Sequence, residues 1–308
     1  MSRALGAVGE GLVEFRVGPD RDHVGLGFGG DAANVCVMAA RLGTPARLAG
    51  RVGADVLGAR LISFWSDAGV DVTFVERDAD ASTGLYLNES LGDGEHRFVY
   101  WRAGSAGSRF APKDLQERFF ADLGLLVVTG VTLAVSESSA RAVTRAVDVA
   151  RACGARVACV LNHRPALGGD VQRLAAIAAA SDVVIGSRDE ALHVLGFERP
   201  VGPGWRAIEL VVTDGARGAT LFFAGATTQQ SAPPMTASNA AGAGDALAGA
   251  YLGMRLLGRS PAECLAWGVA AAALSVRQDG CAASYPSAGE THAFLHRLPG
   301  ANASGPRP

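Results

Sequence analysis

The chain has 308 residues, is 49% hydrophobic and 19% charged, and carries a formal net charge of −2. That composition supplies a large apolar core and excludes a disordered chain, while the near-neutral charge excludes a partner chosen by charge, such as nucleic acid or an anionic membrane. Five cysteines (Cys36, Cys153, Cys159, Cys264 and Cys281) show no C-x-x-C spacing. They fit reduced thiols of a cytoplasmic protein rather than a disulfide framework or a zinc site.

No basic segment followed by a long apolar stretch opens the chain, so no signal peptide is expected. Ala266–Val276 is too short to span a bilayer of roughly 30 Å and reads as a buried helix. Lys113 is the single lysine, within Ala111-Pro112-Lys113-Asp114. A Schiff-base mechanism would have to use it, and a Walker-A loop needs a Gly-Lys pair that is absent.

In chain order, Ala4–Phe15 reads as a strand. Asp31–Leu42 places Val35, Met38, Ala39 and Leu42 on one helical face, with Gly43 at the cap. Val56–Ala68 repeats the pattern before Gly69. Thr83–Ser90 and His96–Arg102 alternate with period two around Gly92-Asp93-Gly94, a hairpin signal. Together with Val13–Arg16 and Val24–Phe28 they predict a small antiparallel sheet serving as a lid, drawn from about residues 12–30 and 74–103. Apolar runs at Leu123–Val128, Arg156–Leu161, Asp182–Ile185 and Ile208–Val212 look like strands buried on both faces. Helical patterns at Glu137–Ala152, Val171–Ala180 and Asp189–Leu195 separate them. The fold class is therefore α/β: one domain over residues 1–308, a mostly parallel central sheet flanked by helices, and a β lid. Pro299–Pro308 is expected to fray.

The segment richest in chemistry is Asn239-Ala240-Ala241-Gly242-Ala243-Gly244-Asp245-Ala246, which opens a helix running through Met254. Gly242 and Gly244 let a ligand approach the backbone, and the free amides of Gly242, Ala243 and Gly244 with the helix dipole form an anion site. Asp245 can take a proton from a hydroxyl while those amides neutralise charge on a transferred phosphoryl group. Alone, such a segment is better explained as a helix start with small residues for close packing and Asp as a cap.

These residues resemble the C-terminal signature of the PfkB/ribokinase family of carbohydrate kinases. A second signature, Gly29-Gly30-Asp31-Ala32-Ala33-Asn34, stands near the N-terminus. The resemblance implies a ribokinase-like fold, ATP and Mg²⁺ as cofactors, and sugar contacts from Gly29, Gly30 and Asn34. Phe98-Val99-Tyr100-Trp101-Arg102-Ala103-Gly104-Ser105-Ala106 is similar to a stretch of the family's 2-keto-3-deoxygluconate kinases. Tyr86, Tyr100, Arg102 and Arg164 match their substrate contacts. A guanidinium grips a carboxylate through two parallel hydrogen bonds, which suits a sugar acid.

On the nucleotide side the resemblance assigns Ser187, Thr213, Gly215 and Gly218, along with Gly242 and Gly244. It assigns Glu190 to a magnesium–water network, and Gly280-Cys281-Ala282-Ala283-Ser284-Tyr285-Pro286 to a flanking loop. It also implies a homodimer through the lid.

Three departures lie on the nucleotide and cation side. Asn239-Ala240-Ala241 replaces Asp-Thr-Thr, which puts activation by a monovalent cation in doubt. Val160-Leu161-Asn162 replaces Asp-Pro-Asn, and Ser187 replaces Asn. The expected activity is ATP-dependent phosphorylation of a sugar acid such as 2-keto-3-deoxygluconate, with Asp245 as base. The alternatives are a kinase for a neutral sugar (fructose, ribose) or a nucleoside, and a sugar sensor without catalysis. A dinucleotide-binding dehydrogenase is disfavoured because no G-x-G-x-x-G follows the first strand.

Overall fold

In the computed structural model, residues 3–18, 23–92, 95–197 and 209–297 are described. The chain enters through β1 (Ala4–Val8), leaves the main sheet for β2 (Leu12–Val17) and β3 (Val24–Gly29), and returns through α1 (Asp31–Arg41), β4 (Ala46–Gly53), α2 (Val56–Asp67) and β5 (Val70–Asp78). The hairpin strands β6 (Leu85–Gly92) and β7 (Glu95–Trp101) follow. Then come β8 (Leu123–Thr129), α3 (Gly130–Val135), α4 (Glu137–Ala152), β9 (Arg156–Val160), α5 (Val171–Ala180) and β10 (Val183–Ser187). A single turn, α6 (Arg188–Glu190), runs into a π-helical turn over Ala191–Leu195. The chain continues through β11 (Glu209–Thr213), β12 (Ala219–Phe223), β13 (Ala226–Gln230), α7 (Ala243–Leu256), α8 (Pro261–Ser275) and α9 (Ala288–Leu295).

Nine strands form the main sheet in the order β13-β12-β11-β10-β9-β8-β1-β4-β5, parallel from β11 to β5 and antiparallel at β11–β12–β13. Helices cover both faces, so the strands are apolar throughout, as in β8, where every residue is buried. One core lies under α1, α7 and α8 around Met38, Trp65 and Tyr251; the other lies under α4 and α5 around Phe110 and Phe119. The Ala-rich segment read as a buried helix is α8, capped by a Ser260–Glu263 capping box.

Two expectations are corrected. Ala4–Phe15 is not one strand. The backbone crosses from the main sheet to the small one at Gly9-Glu10-Gly11, where neighbours leave no room for side chains. A Cβ at Gly9 would lie 2.6 Å from that of Ala32, and one at Gly11 would lie 2.2 Å from the Trp65 ring. The lid also does not reach back to residue 74. Val70–Asp78 pairs in parallel with β4 and closes an edge of the main sheet, leaving β2, β3, β6 and β7 as the lid.

That lid has the order β3-β2-β6-β7. Both hairpins are antiparallel, while the central β2–β6 pair is parallel because a long stretch of main-sheet chain separates them. The predicted turn at Asp93-Gly94 and the tail from Pro299 lie outside the described residues.

Candidate active site

The site forms where the carboxyl ends of β9, β10 and β11 meet the first turns of α1 and α7, the usual ligand crevice of an open parallel sheet. The two helices pack against each other, and Gly30 (φ +117°) and Gly242 (φ +80°) turn the chain into them. Gly242 is wedged: a Cβ there would sit 2.3 Å from Cys281 Sγ and 2.9 Å from the Tyr285 hydroxyl. That hydroxyl donates to the Gly242 carbonyl at 2.7 Å, tying the loop after α8 to the start of α7.

Asp245 lies three residues further on, buried to 8% exposure. Asn34 Nδ2 donates to Asp245 Oδ2 at 2.8 Å, and Asn162 Nδ2 donates to Oδ1 at 2.9 Å. Each carboxamide has a second contact: Asn34 with Cys281 Sγ at 3.2 Å, and Asn162 with Asp31 Oδ2 at 3.4 Å. Burial, then the negative charge of Asp31, pushes the Asp245 carboxyl up to about 7, against the pull of Asn34, Asn162 and Arg164. Burial likewise raises Asp31. A carboxylate held in two amide contacts and titrating near neutrality is suited to accept a proton at physiological pH.

The amides of Gly244 and Asp245 donate to no protein acceptor among the described residues, whereas Ala243 N–H bonds the Ala240 carbonyl at 3.3 Å. A donor pair therefore stands beside Asp245.

Over this floor lies the inner face of the lid. Tyr86, buried, stacks on the half-exposed Tyr100 with ring centroids 5.5 Å apart, and a Cβ at Gly29 would touch the Tyr86 hydroxyl at 2.9 Å. Arg164 stands at the rim; its charge is felt by Tyr100, Asp31 and Asp245, and Nη1 bonds Glu190 Oε1 at 3.2 Å. Of the expected substrate residues, Asn34 bonds Asp245 and Arg164 acts on it by charge, Gly29 and Gly30 lead into the helix of Asn34, and Tyr86 joins Gly29 to Tyr100.

Arg102 has a partner that sequence reading did not foresee. Its guanidinium forms a buried ion pair with Glu10 in the crossing between β1 and β2.

On the other side of the first turn of α7, Thr213, Gly215, Gly218 and Gly244 line a cavity of about 460 Å³. Gly242 and Ser187 do not line it. Ser187 instead begins α6 in a reciprocal capping box: its N–H donates to Glu190 Oε2 at 2.8 Å, and its hydroxyl accepts from Glu190 N–H at 3.2 Å. No three His, Cys, Asp or Glu side chains among the described residues stand close enough to hold a metal. Such a donor set fits an ion carried by phosphates and water, and not one caged by protein ligands.

Residues 7–288 match the family described as pfkB family carbohydrate kinase. The chain belongs to the pfkB carbohydrate kinase family. It is therefore a phosphotransferase acting on a sugar hydroxyl.

Among similar proteins, the 2-dehydro-3-deoxygluconokinase of Thermoproteus tenax is 33% identical, with 96% of this chain and 95% of that one covered. The 5-dehydro-2-deoxygluconokinase of Listeria monocytogenes is 28% identical, with 87% and 86% covered. In fold, this pfkB kinase superposes on a fructokinase with bound ATP from Xylella fastidiosa at TM-score 0.85 and 25% identity, over 96% and 99% of the two chains. It also superposes on a putative ribokinase II in complex with ATP and Mg²⁺ from E. coli at TM-score 0.85 and 23% identity, with the same coverage.

Sequence reading missed roles for Asn162, Asp31 and Cys281. The signal for Asn162 lay in its residue type. It has φ +33°, a left-handed conformation that asparagine tolerates, and this conformation accompanies its contact with both carboxylates.

Proposed function

We propose that this kinase transfers the γ-phosphoryl group of ATP to a 2-keto-3-deoxy sugar acid of the gluconate class. The observation that carries the reading is Asp245: buried, held by Asn34 and Asn162, beside two uncommitted amides, between the lid tyrosines and the cavity. The likeness to kinases named for dehydro-deoxygluconates supports the acid class.

The substrate's hydroxyl proton passes to Asp245 Oδ as its oxygen attacks. The Gly244 and Asp245 amides face the transferred group, and Arg164 offers its guanidinium to the substrate carboxylate. Tyr86 and Tyr100 cover the sugar and exclude water. Mg²⁺, bound with the nucleotide, would neutralise phosphate charge. Glu190 Oε1, the oxygen not used in capping, accepts from Arg164 Nη1 at 3.2 Å and would be shared between that guanidinium and the ion's water.

No carboxylate stands at 239–241, and Asn239 Oδ1 is engaged by Ala241 N–H at 2.8 Å. This supports a rate independent of K⁺.

One observation favours a second reading. Arg102 is held by Glu10, so of the two arginines expected to meet the substrate Arg164 is the one left for a carboxylate, and a neutral sugar needs no such clamp. An ADP-release panel of sugar acids and neutral sugars, with and without K⁺, separates the two. In the enzyme with Asp245→Asn, turnover of the best acceptor should fall by about 10²-fold or more while acceptor binding by calorimetry persists. Retention of a tenth of the wild-type rate removes Asp245 from the base role.

A further inference from the structure

The cavity beside α7 bears on which phosphoryl donor the enzyme takes, an inference that rests on the kinase reading above. Its walls are Pro233, Pro234 and Met235 on one side and Leu247, Val269 and Val276 on the other, with small alanines and glycines between. Among the described lining residues, Thr213 alone carries a hydroxyl, amide or charged side chain. The two prolines have no N–H, and the amides of Ser238 and Asn239 already donate to the Val276 carbonyl. The wall therefore offers a flat ring much apolar surface and, among its side chains, one hydrogen-bonding group.

Pressing the amino and carbonyl edge of a purine against such a wall would leave those groups buried without side-chain partners, which is costly unless the backbone meets them. With no side chain to read it, the edge is better placed at the open mouth in water, where adenine and guanine look alike. Pockets that hold ligands by apolar contact discriminate by roughly 10- to 200-fold, whereas pockets built to hydrogen-bond a group reject its absence by about 10⁴- to 10⁵-fold.

We propose that this site selects a purine nucleoside triphosphate by its phosphates and ring shape, and that GTP and ITP serve as phosphoryl donors along with ATP. The step is the same for each. The bond from the γ-phosphorus to the bridging oxygen breaks, a bond to the sugar oxygen forms, the hydroxyl proton goes to Asp245, and the nucleoside diphosphate leaves.

The test measures kcat/KM of the full-length enzyme for MgATP, MgGTP and MgITP at a saturating acceptor, with calorimetric Kd values for ADP and GDP, which need no acceptor. ATP-to-GTP and ADP-to-GDP ratios below about a hundredfold are expected. Larger ratios, or no binding of either diphosphate, overturn the inference.

Ala272→Phe, which fills the cavity, should weaken ADP and GDP together; GDP binding that survives it lies elsewhere and also overturns the inference. Thr213→Val needs no new volume and should leave the ADP-to-GDP ratio unchanged. A shift in that ratio would mean that Thr213 reads the base. If both diphosphates bind with similar Kd and no acceptor is turned over, the base tolerance of the cavity stands, whereas the donor role and the sugar-acid reading both fall.

Discussion

Replacing Asp31 by Asn removes one charge from the pair of carboxylates that Asn162 bridges. Contacts of 3.4 and 2.9 Å hold the two carboxylate oxygens within about 6 Å, where two unit charges in a partly hydrated interior repel by about 2–3 kcal/mol. Fully expressed, that repulsion is worth about two pH units of proton affinity. Asp31 also titrates with Asp245, so the expected change is about one to two units. The other charged or titratable groups near Asp245 are Arg164, Cys281 and Tyr285, with Glu14 acting on Cys281 from the lid; Asp31→Asn leaves them in place. The carboxamide oxygen of the introduced side chain can still accept the Ala32 amide, which in the wild type bonds Asp31 Oδ1 at 2.8 Å.

The sign follows from the role of Asp245. As a base it must be ionised, so kcat/KM falls as pH drops through its carboxyl's titration at about 7. With the neighbouring charge gone, protonation needs a lower pH, and the acidic limb moves toward about pH 5–6. The variant-to-wild-type ratio of kcat/KM should climb steadily from pH 8 to pH 5.5, whatever the absolute rates. A profile that only loses height, with its limb unmoved, would refute the electrostatic coupling and leave Asp31 a plain helix-start residue.

Arg102→Ala strands Glu10, which is 3% exposed, without its counter-charge. Breaking a buried pair this way costs about 3–5 kcal/mol, a fall in Tm on the order of 10 °C by differential scanning calorimetry. A change under about 3 °C would mean the pair is solvated. The two glycines at α7 should separate folding from binding. Gly242→Ala puts a methyl at φ +80° against Cys281 and Tyr285 and should lower stability by about 2–4 kcal/mol in a urea titration. Gly244→Ala meets nothing within 4 Å, so Tm should hold, while KM for the triphosphate should rise as the methyl enters the cavity that Gly244 lines.

The readable part of the fold was the part encoded locally. Glu137–Ala152 and Val171–Ala180 are helices over the residues expected, because each carries a start signal that binds its own backbone: Ser136 accepts from Ser139 N–H, and Asp170 from Arg173 N–H. Strand β4 was overlooked because Arg47 and Arg51 interrupt its apolar run. Their charges are satisfied only by distant chain, Arg47 by the Phe119 and Ala121 carbonyls, and Arg51 by Asp78 and Asp114 at 2.8 and 2.7 Å. No window of sequence contains those partners. At the site, Asp245 and Asn34 could be identified from motifs in which each stands within a few residues of its own glycines. Asn162 could not, since its function comes from reaching two carboxylates on different helices.

The same reasoning explains why the sugar and nucleotide sides can differ in how strictly they choose. Asp245 has amide donors on both oxygens and a charged neighbour close by, so geometry and proton affinity on the acceptor side depend on several fixed groups. One turn of α7 away, the cavity has alanines, prolines and Thr213. Polar groups fixed in a buried site reject a ligand that leaves them unpaired, and apolar walls reject only what does not fit. A chain that spends its buried polar residues around the hydroxyl should be demanding about the sugar and permissive about the base. Tight selection of both substrates would require polar contacts to the base from the cavity's backbone or from outside its lining, and a large ATP-to-GTP ratio would be their signature.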